Sequence, residues 1–243
     1  MISAELATAL AGGIALTLGM TALTTVASLL LAFRLTEARM SPRRVVRLPA
    51  TIVVEVFRNV PALVQIIFWA FAVPNLFTAD TRRAVFFDNA VMDALGAVTG
   101  LPLPYYGLAA AIGLTLNTTG HLTEILRSGV GSMPGEHLDA ARTLGASRRT
   151  AMRRVLLPTG FRTTFPAISS RLVHNMKNTA LASFVAVPEL FGVIQGEITR
   201  TFDATRLLLL GAAVYLVLAW LMTVVLDVVD RRLRPAGSVA GGG

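Results

Sequence analysis

Asp139-Ala140-Ala141, Gly145 and Val155-Leu156-Leu157-Pro158 sit in a basic loop between strongly apolar segments, and their spacing decides how the rest of the chain is read. Glu136 to Leu144 is a run of good helix formers, and Gly145 supplies the left-handed turn that ends it. Ala146 to Leu156 predicts a second short helix, which Pro158 is expected to stop. The alanines at 140 and 141 leave a small face that another surface can approach closely. Two short helices meeting at a glycine suit docking into a groove, with an ordinary surface helical hairpin as the plainer alternative.

Outward from this loop the chain is apolar, with 54% hydrophobic residues among 243 and a mean hydropathy of +0.65, which points to a bilayer rather than a water-solvated core. Leu6 to Phe33, Asn59 to Ala79 and Leu207 to Leu226 carry no charge, and each is long enough to cross hydrocarbon as a helix. A further uncharged run between Ala94 and Gly120 is broken by Gly100, Pro102 and Pro104, so its helix is expected to start near Tyr105 or Tyr106 and to reach about Arg127. Asn178 to Ile198 is interrupted by Pro188, Glu189 and Glu197, which predicts a broken or partly protein-enclosed span. The expected fold is therefore all-α and integral to the membrane, with about five transmembrane helices over roughly 9–33, 59–79, 105–127, 178–198 and 207–228. They belong to one transmembrane domain, 1–234, with a cytoplasmic loop at 133–158 and a glycine-rich, disordered tail at 235–243.

The basic residues orient these spans. Eighteen of the 22 lie in Arg34–Arg58, Arg127–Lys177 and the tail, on one side of the predicted topology, and only Arg82, Arg83, Arg200 and Arg206 lie on the other. That split requires an odd number of spans, with the N-terminus outside and the C-terminus cytoplasmic. It also makes the net charge of +8 a topological signal rather than a nucleic-acid footprint. The first apolar run has no basic leader and is as long as a true span, so it is expected to stay as one.

The chemistry available to the chain is narrow. With no cysteine there are no disulfides and no thiolate metal sites. The only lysine, Lys177, follows Met176, so no Gly-Lys-Ser/Thr phosphate loop exists. His121 and Glu124 share one helical face, but there are only three histidines and no His-Glu-x-x-His, so neither a metal site nor a catalytic residue is expected. Polar groups inside a membrane helix line a water-filled path or pair with another helix. Asn117, Thr118 and His121 are path candidates, while Glu124 either lines the path or pairs with Arg127 or Arg58. Arg58 is a further path candidate that either snorkels to the interface or contacts a carboxylate or a second subunit, and Gln65, entering the same region, is a path candidate too. Arg148, Arg149, Arg153 and Arg154 form a solvated or headgroup-facing patch, with contact to a partner subunit as the lesser reading.

The loop closely resembles the EAA loop of ABC importer permeases: an acidic residue, two alanines, a glycine four positions on, then an aliphatic residue and Leu-Pro at the family spacing. Phe57-Arg58-Asn59-Val60-Pro61 with Gln65, Thr17-Leu18, Glu124-Ile125-Leu126-Arg127 and Lys177-Asn178-Thr179 resemble patterns of the polar amino acid branch (histidine, glutamate, glutamine, arginine and opine permeases) of type I ABC importers, over about Gly12 to Asp230. Two positions depart: the acidic residue is Asp139 where the family more often has glutamate, and His121 stands where an aromatic residue is common.

The resemblance implies a type I importer permease fold in a bacterial inner membrane. Asp139, Ala140, Ala141, Gly145, Leu157 and Pro158 would couple it to a dimer of separate ATPase subunits, which hold the ATP and Mg; no cofactor is expected in this chain. A second permease subunit, the same or different, and an extracytoplasmic solute-binding protein are the other implied partners. The implied cargo is a polar amino acid, with glutamate or glutamine preferred. A stand-alone channel, an ion-coupled carrier or a permease for another small polar solute are the alternatives.

Overall fold

An apolar chain of this kind satisfies its backbone polar groups within each segment, which leaves helix as the default. The computed structural model describes residues 4–101, 104–136, 141 and 143–233, and among them it contains helices and no strand. The chain runs through α1 (Ala4–Arg39), α2 (Arg44–Asn59) and α3 (Ala62–Ile67), the last continued by a wide π-turn, Phe68–Ala72, and a tight 3₁₀ turn, Pro74–Leu76. Short α4 (Ala79–Arg82), a second π-turn and α5 (Ala90–Thr99) lead to α6 (Pro104–Gly131). Beyond the loop, α7 (Arg148–Ala151) passes through a π-turn, Met152–Leu156, into α8 (Leu157–Asn178) and a 3₁₀ segment, Thr179–Val185. Last come α9 (Leu190–Thr201) and α10 (Ala204–Leu233).

Two of these helices, α1 and α10, are long and apolar enough to cross a membrane on their own. Three bent pairs qualify when each is counted as one span, giving up to five: Arg44–Asn59 with Ala62–Leu76 at 106°, Ala90–Thr99 with Pro104–Gly131 at 83°, and Arg148–Val185 with Leu190–Thr201 at 45°. The outward faces of α10 (Leu209, Leu216, Trp220, Val225) and of α1 (Leu23, Val26, Leu30) are exposed and apolar, as a lipid-facing surface requires.

The centre of the bundle is α6, in which seventeen of 28 residues are buried. It packs against α1, α2, α3 and α8. Its small residues make this possible: a Cβ on Gly113 would stand 2.9 Å from the Ile66 nitrogen, and one on Gly120 would stand 2.8 Å from the Arg58 nitrogen. The two glycines are two turns apart on one side of α6, so the backbone of the α2–α3 bend lies directly on them. At the opposite end from the arginine-rich loops, Phe86, Phe87, Tyr105 and Tyr106 pack edge to face, and the Tyr105 hydroxyl donates to the Trp69 carbonyl at 2.5 Å.

Two sequence expectations differ from the structure. Pro158 does not stop a helix: it lies in the first turn of α8, and the helix runs on through it. The π-turn immediately before it widens the backbone where the missing proline N–H and the bulk of the ring would break a regular α-helical ladder. The polar stretch 157–178, left outside the expected spans, forms a 22-residue helix, so that 178–198 is the later part of a longer bent pair. Its threonines, serines and arginines lower its hydropathy, while Phe165, Ile168, Leu172 and Met176 recur every three or four residues and are buried.

Candidate functional site

The break at Pro61 organises the site. Proline has no N–H to offer the Phe57 carbonyl four residues earlier, and Val60 turns to an extended conformation at the end of α2, so two carbonyls leave the helical ladder inside the bundle. The Gln65 side-chain amide donates to both, 2.9 Å to Phe57 O and 2.9 Å to Val60 O. Asn117 on α6 donates to the same pair at 3.2 and 3.1 Å. Both residues were candidates for the path; the structure gives their amides to the broken backbone.

From Asn117 a polar seam crosses the bundle interior. Arg171 on α8 donates from Nη2 to Asn117 Oδ1 at 2.6 Å and to Thr118 Oγ1 at 3.3 Å. Thr118 donates to Asn175 Oδ1 at 2.8 Å, and Asn175 donates from Nδ2 to Thr24 Oγ1 of α1, also at 2.8 Å. Each acceptor in this relay faces back toward the guanidinium, so the seam disperses its charge across three helices. No carboxylate of the described residues pairs with Arg171, and its Nε is buried without a hydrogen-bond partner. His121, half-buried, lies within electrostatic reach of Arg171, Arg58 and His174.

Glu124 belongs to a different group. It accepts from Arg39 at 2.8 Å and from Arg127 at 2.5 Å, while Arg39 also reaches Glu55 at 3.4 Å and Glu55 holds Arg58 at 2.8 Å. Five charges thus alternate across α2, α1 and α6. Glu124 is paired with Arg127, as the spacing suggests, and with Arg39 rather than Arg58 as the second partner. Among the described residues no three histidines or carboxylates assemble as a metal site would need.

Asp139 and Ala140 lie outside the described residues. Ala141 is buried, and its carbonyl accepts from Ala146 N at 3.0 Å, while Gly145 has φ +81°. That pairing across a left-handed residue is a Schellman ending, which a residue with a Cβ would strain. Ser147 then caps α7 by accepting from Thr150 N, and Glu37 at the end of α1 accepts from Arg149 and Arg153 at 3.3 and 2.8 Å. Leu157 is buried beside Val130, Met152 and Leu156, and Pro158 is exposed.

Sequence reasoning missed Arg171, Asn175 and the buried carboxylate of Glu189. The last caps α9 by accepting from Gly192 N at 2.9 Å, and it also accepts from Tyr215 at 2.6 Å and Thr17 at 3.2 Å. The three-four spacing of apolar residues in 157–178 was the available signal for the first two. For Glu189 the signal was its place after Pro188, where an N-cap belongs.

Comparison with known proteins agrees with this architecture. Residues 24–235 match the family model described as binding-protein-dependent transport system inner membrane component. The L-cystine transport system permease protein TcyB of Bacillus subtilis is 31% identical over 225 residues, covering 92% of this chain and 86% of that protein. The octopine transport system permease protein OccM of Rhizobium meliloti is 28% identical over 230 residues, covering 93% and 86%. Among solved structures, an amino acid ABC transporter crystallised with histidines shares the fold with a TM-score of 0.74 at 22% identity, over 94% of this chain and 95% of that one. The chain belongs to the family of binding-protein-dependent transport system inner membrane components, in the polar amino acid permease branch of the ABC importers.

Proposed function

We propose that the chain forms the membrane path of an importer for a polar amino acid, driven by ATP hydrolysis in separate subunits. The observation that carries this reading is Arg171, a guanidinium held inside the bundle by Asn117 and Thr118 with no carboxylate partner among the described residues. A desolvated cation of this kind favours an anionic partner, and the α-carboxylate common to all amino acids is one. The relatives named for cystine and octopine carry amino acid derivatives of different side chains, which suits recognition of the shared carboxylate. Glutamate and glutamine, preferred from the sequence resemblance, head the panel to be tested.

In this reading two ATPase subunits, with their ATP and Mg, dock on the loop 133–158 through Asp139, Ala140, Ala141 and Gly145, a second permease subunit completes the path, and a solute-binding protein delivers cargo from outside. The absence of a phosphate loop in this chain supports the need for that ATPase. The test is uptake by the complete transporter in proteoliposomes, against a panel of labelled amino acids and their decarboxylated amines. Arg171→Gln is expected to lower amino acid uptake about tenfold or more, the scale of a lost charge-assisted hydrogen bond, while the complex still assembles. Uptake of the amines at the same rate as the acids, or undiminished uptake by the variant, would remove the carboxylate reading.

A further inference from the structure

A second cationic feature, separate from the path, lies where the apolar part of α1 ends at Phe33. A cavity of about 570 Å³ opens there between the end of α1, the turn into α2, α7 and the π-turn after it. Arg34, Arg43, Arg148, Arg149 and Arg153 line it, against one carboxylate, Glu37. Glu37 is already held by Arg149 and Arg153, and no described carboxylate pairs with Arg34, Arg43 or Arg148. The cavity therefore presents uncompensated guanidinium groups, whose planar donor forks match phosphate oxygens.

The helix that leads away from it, α2, is apolar on its outer face. Val45, Leu48, Ile52 and Val56 recur on α2 at three- and four-residue spacing and are all exposed, and Val46 reaches into the cavity itself. A soluble acidic partner would satisfy the arginines and leave this stripe in water. A phospholipid satisfies both, with phosphate among the arginines and acyl chains along the stripe.

We propose that this cavity binds the phosphate headgroup of an anionic phospholipid at the membrane surface. Arg34 and Arg43 supply the primary contacts, and the site ties the α1–α2 turn to the start of the α7–α8 rod.

The test uses the intact transporter complex in nanodiscs of phosphatidylcholine with a minor fraction of phosphatidylglycerol, followed by native mass spectrometry of the lipid retained after release. Wild-type complex is expected to retain phosphatidylglycerol in preference to phosphatidylcholine. Arg34→Gln/Arg43→Gln is expected to weaken that retention roughly thirtyfold, and Arg43→Gln alone about fivefold, the effect of one basic residue near a charged surface. Both arginines are exposed and carry no ion pair, so their replacement leaves the bundle interior untouched. Arg231→Gln/Arg232→Gln removes the same charge near the C-terminus and is expected to retain lipid as the wild type does. Equal loss in both double variants would mean general surface attraction and would overturn the site. Displacement of the lipid by excess inorganic phosphate would assign the cavity to a free anion and overturn the lipid reading, as would equal retention of the two lipids by the wild type.

Discussion

Gln65 and Asn117 donate to the same two carbonyls, so their contributions to stability are predicted to be strongly non-additive. Replacing Gln65 by leucine removes two hydrogen bonds but leaves Phe57 O and Val60 O each with a donor from Asn117. At about 0.6 kcal/mol per bond, typical within membrane proteins, the single change costs about 1 kcal/mol. Asn117→Leu costs more, because Arg171 also loses its 2.6 Å acceptor. That extra loss is present in both the single and the double variant and cancels in the cycle. Only the double variant strands both carbonyls in a part-buried setting, and an unsatisfied group costs about 1–3 kcal/mol. A coupling of about 2 kcal/mol or more is therefore expected between Gln65→Leu and Asn117→Leu. Reversible unfolding of the four proteins in mixed micelles would measure it. If the double variant loses no more than the two singles together, to within about 0.5 kcal/mol, the carbonyls are satisfied some other way and the capping argument fails.

Gly145→Ile places a β-branched residue at φ +81°, at a cost of about 1–2 kcal/mol from the left-handed backbone alone. Membrane insertion should be normal while uptake and ATPase stimulation are abolished; normal uptake in the proteoliposome assay would count against the docking role of the loop. Gly120→Val is expected to displace the α2–α3 bend, since even a Cβ would sit 2.8 Å from Arg58 N, and detergent melting should fall well below that of a Gly131→Ala control, where the structure leaves open space. The topology can be read with introduced thiols because the chain has no cysteine of its own. An impermeant maleimide should label Thr81→Cys in intact cells and Ser41→Cys only after permeabilisation, and the reverse pattern would invert the orientation inferred from the arginines.

How far the sequence could be read depended on whether a feature was local. Pro61 announces a helix break by lacking an N–H, and Gly145 announces a left-handed turn by lacking a Cβ; both follow from the residue itself. What satisfies the break is not local. Asn117 lies 57 residues from Val60, and nothing in its own neighbourhood says that its amide faces a proline bend. The polar helix after Pro158 was hidden for a related reason: hydropathy marks segments that face lipid, whereas Arg171 and Asn175 face other helices and are solvated by them. Glu124 shows the limit from another direction. Its pairing with Arg127 is an i, i+3 contact that spacing alone suggests, but Arg39, 85 residues away, becomes its neighbour only through the packing of α1 on α6.

The unbroken run from Arg148 to Val185 has a mechanical consequence. Arg148 beside the turn at Gly145 and Arg171 in the polar seam are about 35 Å apart along one helical shaft, at 1.5 Å per residue, and the chain does not bend sharply until after Val185. A thrust or twist applied at the loop therefore reaches the guanidinium before it meets the sharp bend, because that joint lies beyond the arginine rather than before it. The widened turn at Met152–Leu156 and the proline inside α8, Pro166, are the compliant places on the way, and lost motion between the two ends would be taken up there.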